Sequence, residues 1–362
     1  MGSRYSRTGI ALLAAAGSAM AVGGVVTAGA TTRGQSRPAA SSFKVAVLEP
    51  GAKNDGSWGQ AVDTGALQAG KQFGAAVSLD DNLETPAQYQ QAGAAYASKG
   101  YNLVIVANGS DPQTVVALAK QFPKTWFCEE AATIASKPKN VCTTNITYYD
   151  GDFLAGALAA MVSATGVVGE IGGYSFPQLN WEMNGFSLGA RYINPKIKIE
   201  STYVNTWTDV STTGSAAKAQ IAAGADVIFS ATDQATEGIY AAAQQKGHTY
   251  AIAQYFDTHS QAPSVVLTSV LFNLQGATGN LIKYGVHGSL TNTNYLVGYN
   301  QGAGKLAPFY NLAPSVVTPA IQKRLATIEG WVANGKLVVP ALANQDAGMH
   351  YSLAGFPKAP PA

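Results

Sequence analysis

Short apolar runs alternate with longer segments of helical periodicity along most of the chain. Runs of four to six apolar residues between turn signals are typical of buried strands, and apolar positions three and four apart are typical of helices. Strands are predicted over residues 45–48, 76–79, 103–107, 126–128 and 141–144, with helices over 58–73, 86–99 and 112–122. This alternation predicts right-handed crossovers and a parallel sheet covered on both faces.

A second series of the same kind begins near residue 148. Its predicted strands cover residues 167–171, 197–203, 226–230, 250–253 and 265–271, and its predicted helices cover 152–164, 178–192, 209–222 and 236–246. A helix over 275–287, a strand over 295–299 and a helix over 319–332 would complete the two sheets. The pattern predicts an α/β protein with two Rossmann-like lobes and a cleft lined by loops at the carboxyl ends of the strands.

The chain divides into five predicted parts. These are a signal peptide (1–30), a polar linker (31–42), an N-terminal lobe (43–147 with about 273–300), a C-terminal lobe (148–272 with about 301–339) and an Ala- and Pro-rich surface tail (340–362).

The first part predicts export to the periplasm or the cell surface. Arg4 and Arg7 precede an Ala- and Gly-rich apolar stretch, and small residues at Ala28 and Ala30 are typical of a signal cleavage site. A membrane-spanning helix is the alternative, but Ala and Gly make this stretch only weakly hydrophobic.

Composition narrows the class of protein. With 362 residues, 47% hydrophobic and 12% charged, the chain matches neither a disordered protein nor a multi-span membrane protein. Without residues 1–30, 21 basic and 21 acidic residues remain, so net charge gives no attraction to nucleic acid. In an exported protein the two cysteines, Cys128 and Cys142, favour a disulfide over free thiols or half of a metal site.

The sequence offers no catalytic constellation. The four histidines are scattered without metal-ligand spacing, and the chain has no G-x-S-x-G elbow, H-E-x-x-H pair or G-x-x-x-x-G-K-[ST] loop. We therefore expect a binding protein without a metal or cofactor.

Polar and aromatic residues instead follow the predicted strands. Because these positions meet at one edge of each sheet, they predict a site for a small planar ligand held by aromatic faces and edge hydrogen bonds. The alternatives are that Trp58 fills the gap between its loop and the sheet, and that each acid caps the next helix. The candidate contacts are Asn54, Asp55, Trp58, Asn108, Glu130, Trp181, Trp207, Asp209, Asp233 and Asp257.

Several segments together resemble a known family. The segments are NDGSWGQ, DFLAGALAAMVSATGVVGEIGG, NGFSLGARYINPKIKI, TWTDVSTTGSAAKAQIAAGADVIF and VVLTSV. From about residue 44 to about 288 the chain resembles the basic membrane protein (BMP/PnrA-like) family of solute-binding proteins of ATP-driven importers. The resemblance implies a type I periplasmic-binding-protein fold with a three-strand hinge, an ABC permease as membrane partner, and a purine nucleoside or nucleobase as ligand.

The family motifs assign residues to this site. The loop motif falls on Asp55 and Trp58, and the second-lobe aromatic motif falls on Trp207 with Asp209. The two indoles would stack on opposite faces of the base. The strand-end position after GADVIF falls on Thr232 and Asp233.

Two departures from the family bear on the ligand. Phe272 stands where nucleoside-binding members have a lysine, and Tyr255 replaces the first aspartate of a D-x-D pair that ends here at Asp257. Because those polar groups serve the ribose, their replacement implies a ligand without a sugar.

These observations predict a monomeric extracytoplasmic receptor of an ABC importer that closes on a purine base or nucleoside. The residue types also fit a receptor for a sugar or an amino acid. A nucleoside-acting hydrolase would need a catalytic carboxylate or a metal in the cleft.

Overall fold

The computed structural model describes residues 43–312 and 315–361. The predicted signal peptide and linker lie outside the described residues. Within these ranges, no helix is long and apolar enough to cross a membrane.

Strands and helices alternate as the pattern predicts. The strands are β1 Phe43–Leu48, β2 Ala75–Asp80, β3 Leu103–Val106, β4 Trp126–Glu129, β5 Val141–Ile146, β6 Val167–Gly172, β7 Lys198–Tyr203, β8 Val227–Ala231, β9 Tyr250–Ala253, β10 Val266–Leu271, β11 Asn294–Val297 and β12 Lys305–Leu306. The α-helices are α1 Trp58–Phe73, α2 Pro86–Ser98, α3 Pro112–Gln121, α4 Tyr149–Val162, α5 Pro177–Ile193, α6 Val210–Ala222, α7 Glu237–Lys246, α8 Leu274–Val286, α9 Pro319–Ala333 and α10 Ala347–His350.

Two six-stranded sheets form the framework of the molecule, in one compact unit of the chain. The first has the order β11-β5-β4-β3-β1-β2 and the second β12-β10-β9-β8-β6-β7. All pairs are parallel except β10 with β12. The chain passes between the sheets three times, after β5, β10 and β11, so the predicted two-lobed α/β architecture is confirmed.

Helices α4 and α5 pack backbone to backbone beside the second sheet. A Cβ on Gly156 would lie 1.9 Å from the carbonyl oxygen of Phe186, and one on Gly189 would lie 1.8 Å from that of Phe153. Any larger side chain at either position would force the helices apart. This contact fixes α5, whose amino-terminal turns reach the cleft.

The predicted disulfide is present. Cys128 on β4 and Cys142 on β5 are directly paired in the sheet and are joined through their sulfur atoms.

The last segment of the chain, predicted from its composition as a surface tail, lies at the surface and packs against a helix. It lies along α5, where Asn184 Nδ2 donates to the carbonyl oxygens of Leu342 and Asn344, and Tyr192 OH donates to Pro357. The side chains that make these contacts belong to the helix, and the Ala- and Pro-rich segment contributes backbone groups, so local composition gave no sign of this contact.

Nine carboxyl side chains are buried: Glu49, Asp55, Asp63, Glu129, Glu130, Asp152, Glu170, Glu182 and Asp233. Within residues 43–312 and 315–361 the only ion pair is between Lys198 and Glu200, so these acids lack basic partners. Burial without a counter-ion disfavours the charged form. It raises the pKa of Glu129, Glu130 and Glu170 to about 8 in each case.

This burial predicts a protein that is more stable in acid than in base. The folded-state pKa of these acids exceeds the unfolded value, so the folded state holds more protons and stability falls as pH rises from about 4.5 to about 8. We expect a melting temperature at least about 5 °C higher at pH 5.5 than at pH 8.5.

Calorimetry of wild type, Glu170→Gln and the exposed-site control Glu84→Gln tests this expectation. Glu170→Gln should reduce the pH dependence because Glu170 is buried, and Glu84→Gln should not. A melting temperature that is constant or increases up to pH 8.5 would contradict the assignment of neutral buried carboxyls.

Candidate functional site

A cavity of about 560 Å³ lies between the two sheets. Its lining residues come from the segments that follow β1 to β9, so the carboxyl ends of nine strands converge on it. Seven lining residues are aromatic: Trp58, Tyr89, Tyr148, Tyr174, Phe176, Trp207 and Tyr255. The acidic lining residues are Glu84, Glu182 and Asp233, and among the described residues no Lys, Arg or His lines the cavity.

The loop before α1 is held by Asp55. Its carboxylate accepts hydrogen bonds from the backbone N–H groups of Ser57 (2.7 Å), Gly59 (2.9 Å) and Gln60 (3.0 Å). Asp55 thus satisfies free donors at the helix start. Its carboxylate is committed to the loop and does not line the cavity, and the neighbouring Asn54 is exposed.

Sequence analysis left two roles open for Trp58, namely filling the gap between its loop and the sheet or lining the ligand site. The structure shows contacts of both kinds. Its indole Nε1 donates to the carbonyl oxygen of Ala107 at 2.6 Å, which fixes the loop to the end of β3. Its ring meets Tyr255 edge-on, with centroids 5.5 Å apart, and lines the cavity. The side chain therefore fills a gap and forms part of the cavity wall.

Two backbone groups of this loop form hydrogen bonds with side chains of the second lobe, and we call these two bonds the clasp. The backbone N–H of Trp58 donates to Asp233 Oδ1 at 3.2 Å, and Gln261 Nε2 donates to the carbonyl oxygen of Gly56 at 2.8 Å. Gly56 has a φ of +64°, and a Cβ there would lie 2.6 Å from Gln261 Nε2. Burial and the nearby Asp55 raise the pKa of Asp233 to about 8.

Trp207 forms the cavity wall on the second lobe. It packs against Tyr174 and Phe176, with ring centroids 5.3 and 6.3 Å away. A Cβ on Gly173 would lie 2.2 Å from the indole Cζ3, so this position must lack a side chain for the ring to lie there.

Four of the residues predicted as ligand contacts line the cavity: Trp58, Asn108, Trp207 and Asp233. Asn108 Oδ1 accepts the backbone N–H of Ser110 at 2.9 Å, and its side chain also interacts with the hydroxyl of Tyr89, another lining residue.

Seven predicted contacts lie elsewhere: Asn54, Asp55, Glu130, Trp181, Asp209, Asp257 and Phe272. Besides Asp55, three of these are acids with other partners. Asp209 caps α6 through the Thr212 N–H at 3.0 Å, Glu130 accepts from Thr278 Oγ1 at 2.8 Å, and Asp257 accepts from the His259 N–H at 3.0 Å.

The two remaining aromatic residues support the cavity wall from behind. Phe272 is fully buried and stacks on Tyr148, with centroids 4.1 Å apart and rings 4° from parallel. Trp181 packs against Tyr148 and Tyr149 at 6.4 and 6.0 Å.

Sequence analysis did not identify several of the residues that line the cavity. Tyr148, Tyr174 and Phe176 follow β5 and β6 directly, so the strand-end rule could have found them. Glu182 lies one turn inside α5 and carries no such signal.

Backbone strain also marks the cavity wall. Ala131, Asp233 and Tyr255 have positive φ values of 53°, 54° and 77°, which are unfavourable for residues with a side chain, above all for a large aromatic. Strain of this kind concentrates at binding sites, where surrounding contacts enforce it.

Comparisons with known proteins agree with this geometry. A family model described as ABC transporter substrate-binding protein PnrA-like matches residues 42–319. The chain is 28% identical over 279 residues to purine-binding protein from Brucella abortus strain 2308, covering 76% of this chain and 77% of that protein. It is 26% identical over 285 residues to transcriptional activator protein med from Bacillus subtilis strain 168, covering 78% and 88%.

A solved structure supports the fold. ABC transporter system solute-binding protein from Aeropyrum pernix K1 superposes with a TM-score of 0.73 at 18% identity, covering 82% of this chain and 94% of that one. With a family model covering most of the chain, a two-lobed fold and a cavity at the strand ends, the chain belongs to the PnrA-like family of ABC transporter substrate-binding proteins.

Proposed function

We propose that this protein is the extracytoplasmic receptor of an ABC importer and that its ligand is a purine base. The observation that carries the proposal is a cavity with an indole from each lobe, a wall of tyrosines and no basic side chain among the described residues. Such a lining suits a flat, uncharged ligand and disfavours phosphates and carboxylates, which need basic partners. The similarity to a protein named purine-binding protein supports the same class.

A base fits better than a nucleoside. Tyr255 and Phe272, which replace the polar ribose partners of the family, pack together with centroids 5.0 Å apart. Phe272 also stacks on Tyr148, so aromatic side chains occupy this end of the site and offer few hydrogen bonds to sugar hydroxyls.

Closure of the lobes is the proposed mechanism. The ligand bridges walls that belong to different lobes, so the closed form makes contacts that the open form cannot, and binding shifts the population toward closure. The closed protein then presents the ligand to a membrane permease. The disulfide and the apolar amino-terminal stretch support export before this step.

A thermal-shift screen tests the ligand class. We expect adenine, guanine or hypoxanthine to raise the melting temperature more than the matching nucleosides, and sugars, amino acids and nucleotides to have no effect, because only a ligand that binds the folded state stabilises it. Stabilisation by a sugar or an amino acid, with none by any base, would contradict the proposal.

The two indoles give a second test. Stacking on an aromatic plate contributes about 1–3 kcal/mol per base, so Trp58→Ala and Trp207→Ala should each weaken binding of the best base by about tenfold or more. Trp331→Ala is the matched control, since Trp331 lies on α9 away from the cavity. Unchanged affinity of both cavity variants in titration calorimetry would remove stacking from the mechanism.

The clasp gives a third test. Gln261 does not line the main cavity, so Gln261→Ala should weaken all ligands by the same factor, about 3- to 10-fold, through loss of one closure contact. The exposed residue Gln245 provides the control variant Gln245→Ala. A change in the ratio of affinities between two bases would show that Gln261 acts on the ligand and not on closure.

A further inference from the structure

Glu182 is the carboxyl group that remains for the ligand. Of the three acids that line the cavity, Asp233 accepts the Trp58 N–H of the clasp and also interacts with the Asp55 and Ser57 side chains of the same loop, and Glu84 is exposed. Glu182 is only 4% exposed and lies on α5, close to the start of the helix.

One oxygen of Glu182 is occupied. Oε2 accepts a hydrogen bond from Gln254 Nε2 at 2.8 Å, and this contact fixes the orientation of the carboxyl group. The other oxygen, Oε1, has no hydrogen-bond partner within residues 43–312 and 315–361, although Glu182 lines the cavity. A ligand in the cavity is therefore the available partner for Oε1.

The surroundings of Glu182 contain acids and phenols. No basic side chain among the described lining residues offsets a negative charge there, and the fully buried Asp152 carboxyl on α4 has no basic partner among the described residues. Two neighbouring buried carboxyls and a third in Asp233 cannot all ionise without a cation. The titratable groups that face Glu182 are Asp152 on α4, Asp233 after β8, Tyr148 before α4, Tyr203 on β7 and Tyr255 after β9.

We propose that Glu182 binds the ligand as a neutral carboxylic acid whose Oε1–H donates to an acceptor atom on the ring. With Oε2 accepting from Gln254, the proton belongs on the other oxygen of this cavity-lining side chain. A purine offers ring nitrogens and, in oxopurines, a carbonyl oxygen as acceptors. The assignment rests on the proposed function and adds a specificity-determining contact that the strand-end residues do not include.

Burial supports this protonation state. Burial, with a further contribution from Asp233, raises the pKa of Glu182 well above its ordinary value. A buried carboxylic acid that stays neutral can act as a hydrogen-bond donor at neutral pH.

Two variants separate a donor from a carboxylate. Glu182→Gln keeps an N–H donor of nearly the same shape, and Glu182→Met removes the donor at similar size. With adenine as probe at neutral pH, we expect Glu182→Gln to bind within about threefold of wild type and Glu182→Met to lose about tenfold or more. Glu237→Met is the matched control at an exposed acid on α7 that does not line the cavity, and it should bind as wild type does.

Infrared difference spectroscopy reports the proton directly. Wild type minus Glu182→Gln should show the C=O band of a protonated carboxyl, and adenine should shift that band because the O–H gains a hydrogen-bond acceptor on the ligand. If Glu182→Gln fails to fold, the adenine-induced shift in wild type still tests the proposal. Absence of the shift, absence of the protonated band, or equal losses in the Gln and Met variants would each overturn it.

The experiments distinguish failure of purine binding from failure of the role assigned to Glu182. Wild-type protein that binds neither adenine nor any other base in the thermal-shift screen would contradict purine binding, and the role of Glu182 toward a purine would fall with it. Binding of adenine with no effect of either Glu182 variant would contradict the role of Glu182 alone.

Discussion

The carboxylate of Asp55 is the point on which the site depends. By accepting three backbone N–H groups it closes the loop after β1 and starts α1 in one fixed geometry. The Trp58 ring, the Trp58 N–H and the Gly56 carbonyl all take their positions from that loop. One side chain that never reaches the cavity thereby sets a cavity wall and both hydrogen bonds of the clasp.

The fold followed from the sequence because its signals are periodic and local. Helix α1 begins and ends where the pattern predicts, and the other long elements agree within a few residues. Only part of the candidate site could be predicted from the sequence. Whether a strand-end acid enters the cavity or caps a helix depends on the first turn of the next helix, and Asp209 and Asp233 illustrate the two outcomes. Glu182 could not be found from strand ends, because its position depends on how α5 packs against α4.

The same scarcity of basic side chains determines the protonation of carboxyl groups in the protein interior and in the cavity. Buried carboxyls in the described chain have few cations near them, so burial favours their neutral form throughout. In the cavity the same condition disfavours a further negative charge and leaves carboxyl groups that can accept or donate hydrogen bonds. If the proposed ligand class is right, its selection depends on the pattern of hydrogen-bond donors and acceptors between the aromatic faces.

The position of β11 sets the order in which the chain can finish folding. This strand forms the edge of the first sheet beside β5, although some 150 residues and nearly the whole second sheet separate the two in sequence. During synthesis from the amino terminus, the first lobe stays incomplete until most of the protein has left the ribosome. A nascent chain of this topology therefore spends a long interval without its final structure, with the β5 edge of the first sheet unpaired until β11 arrives.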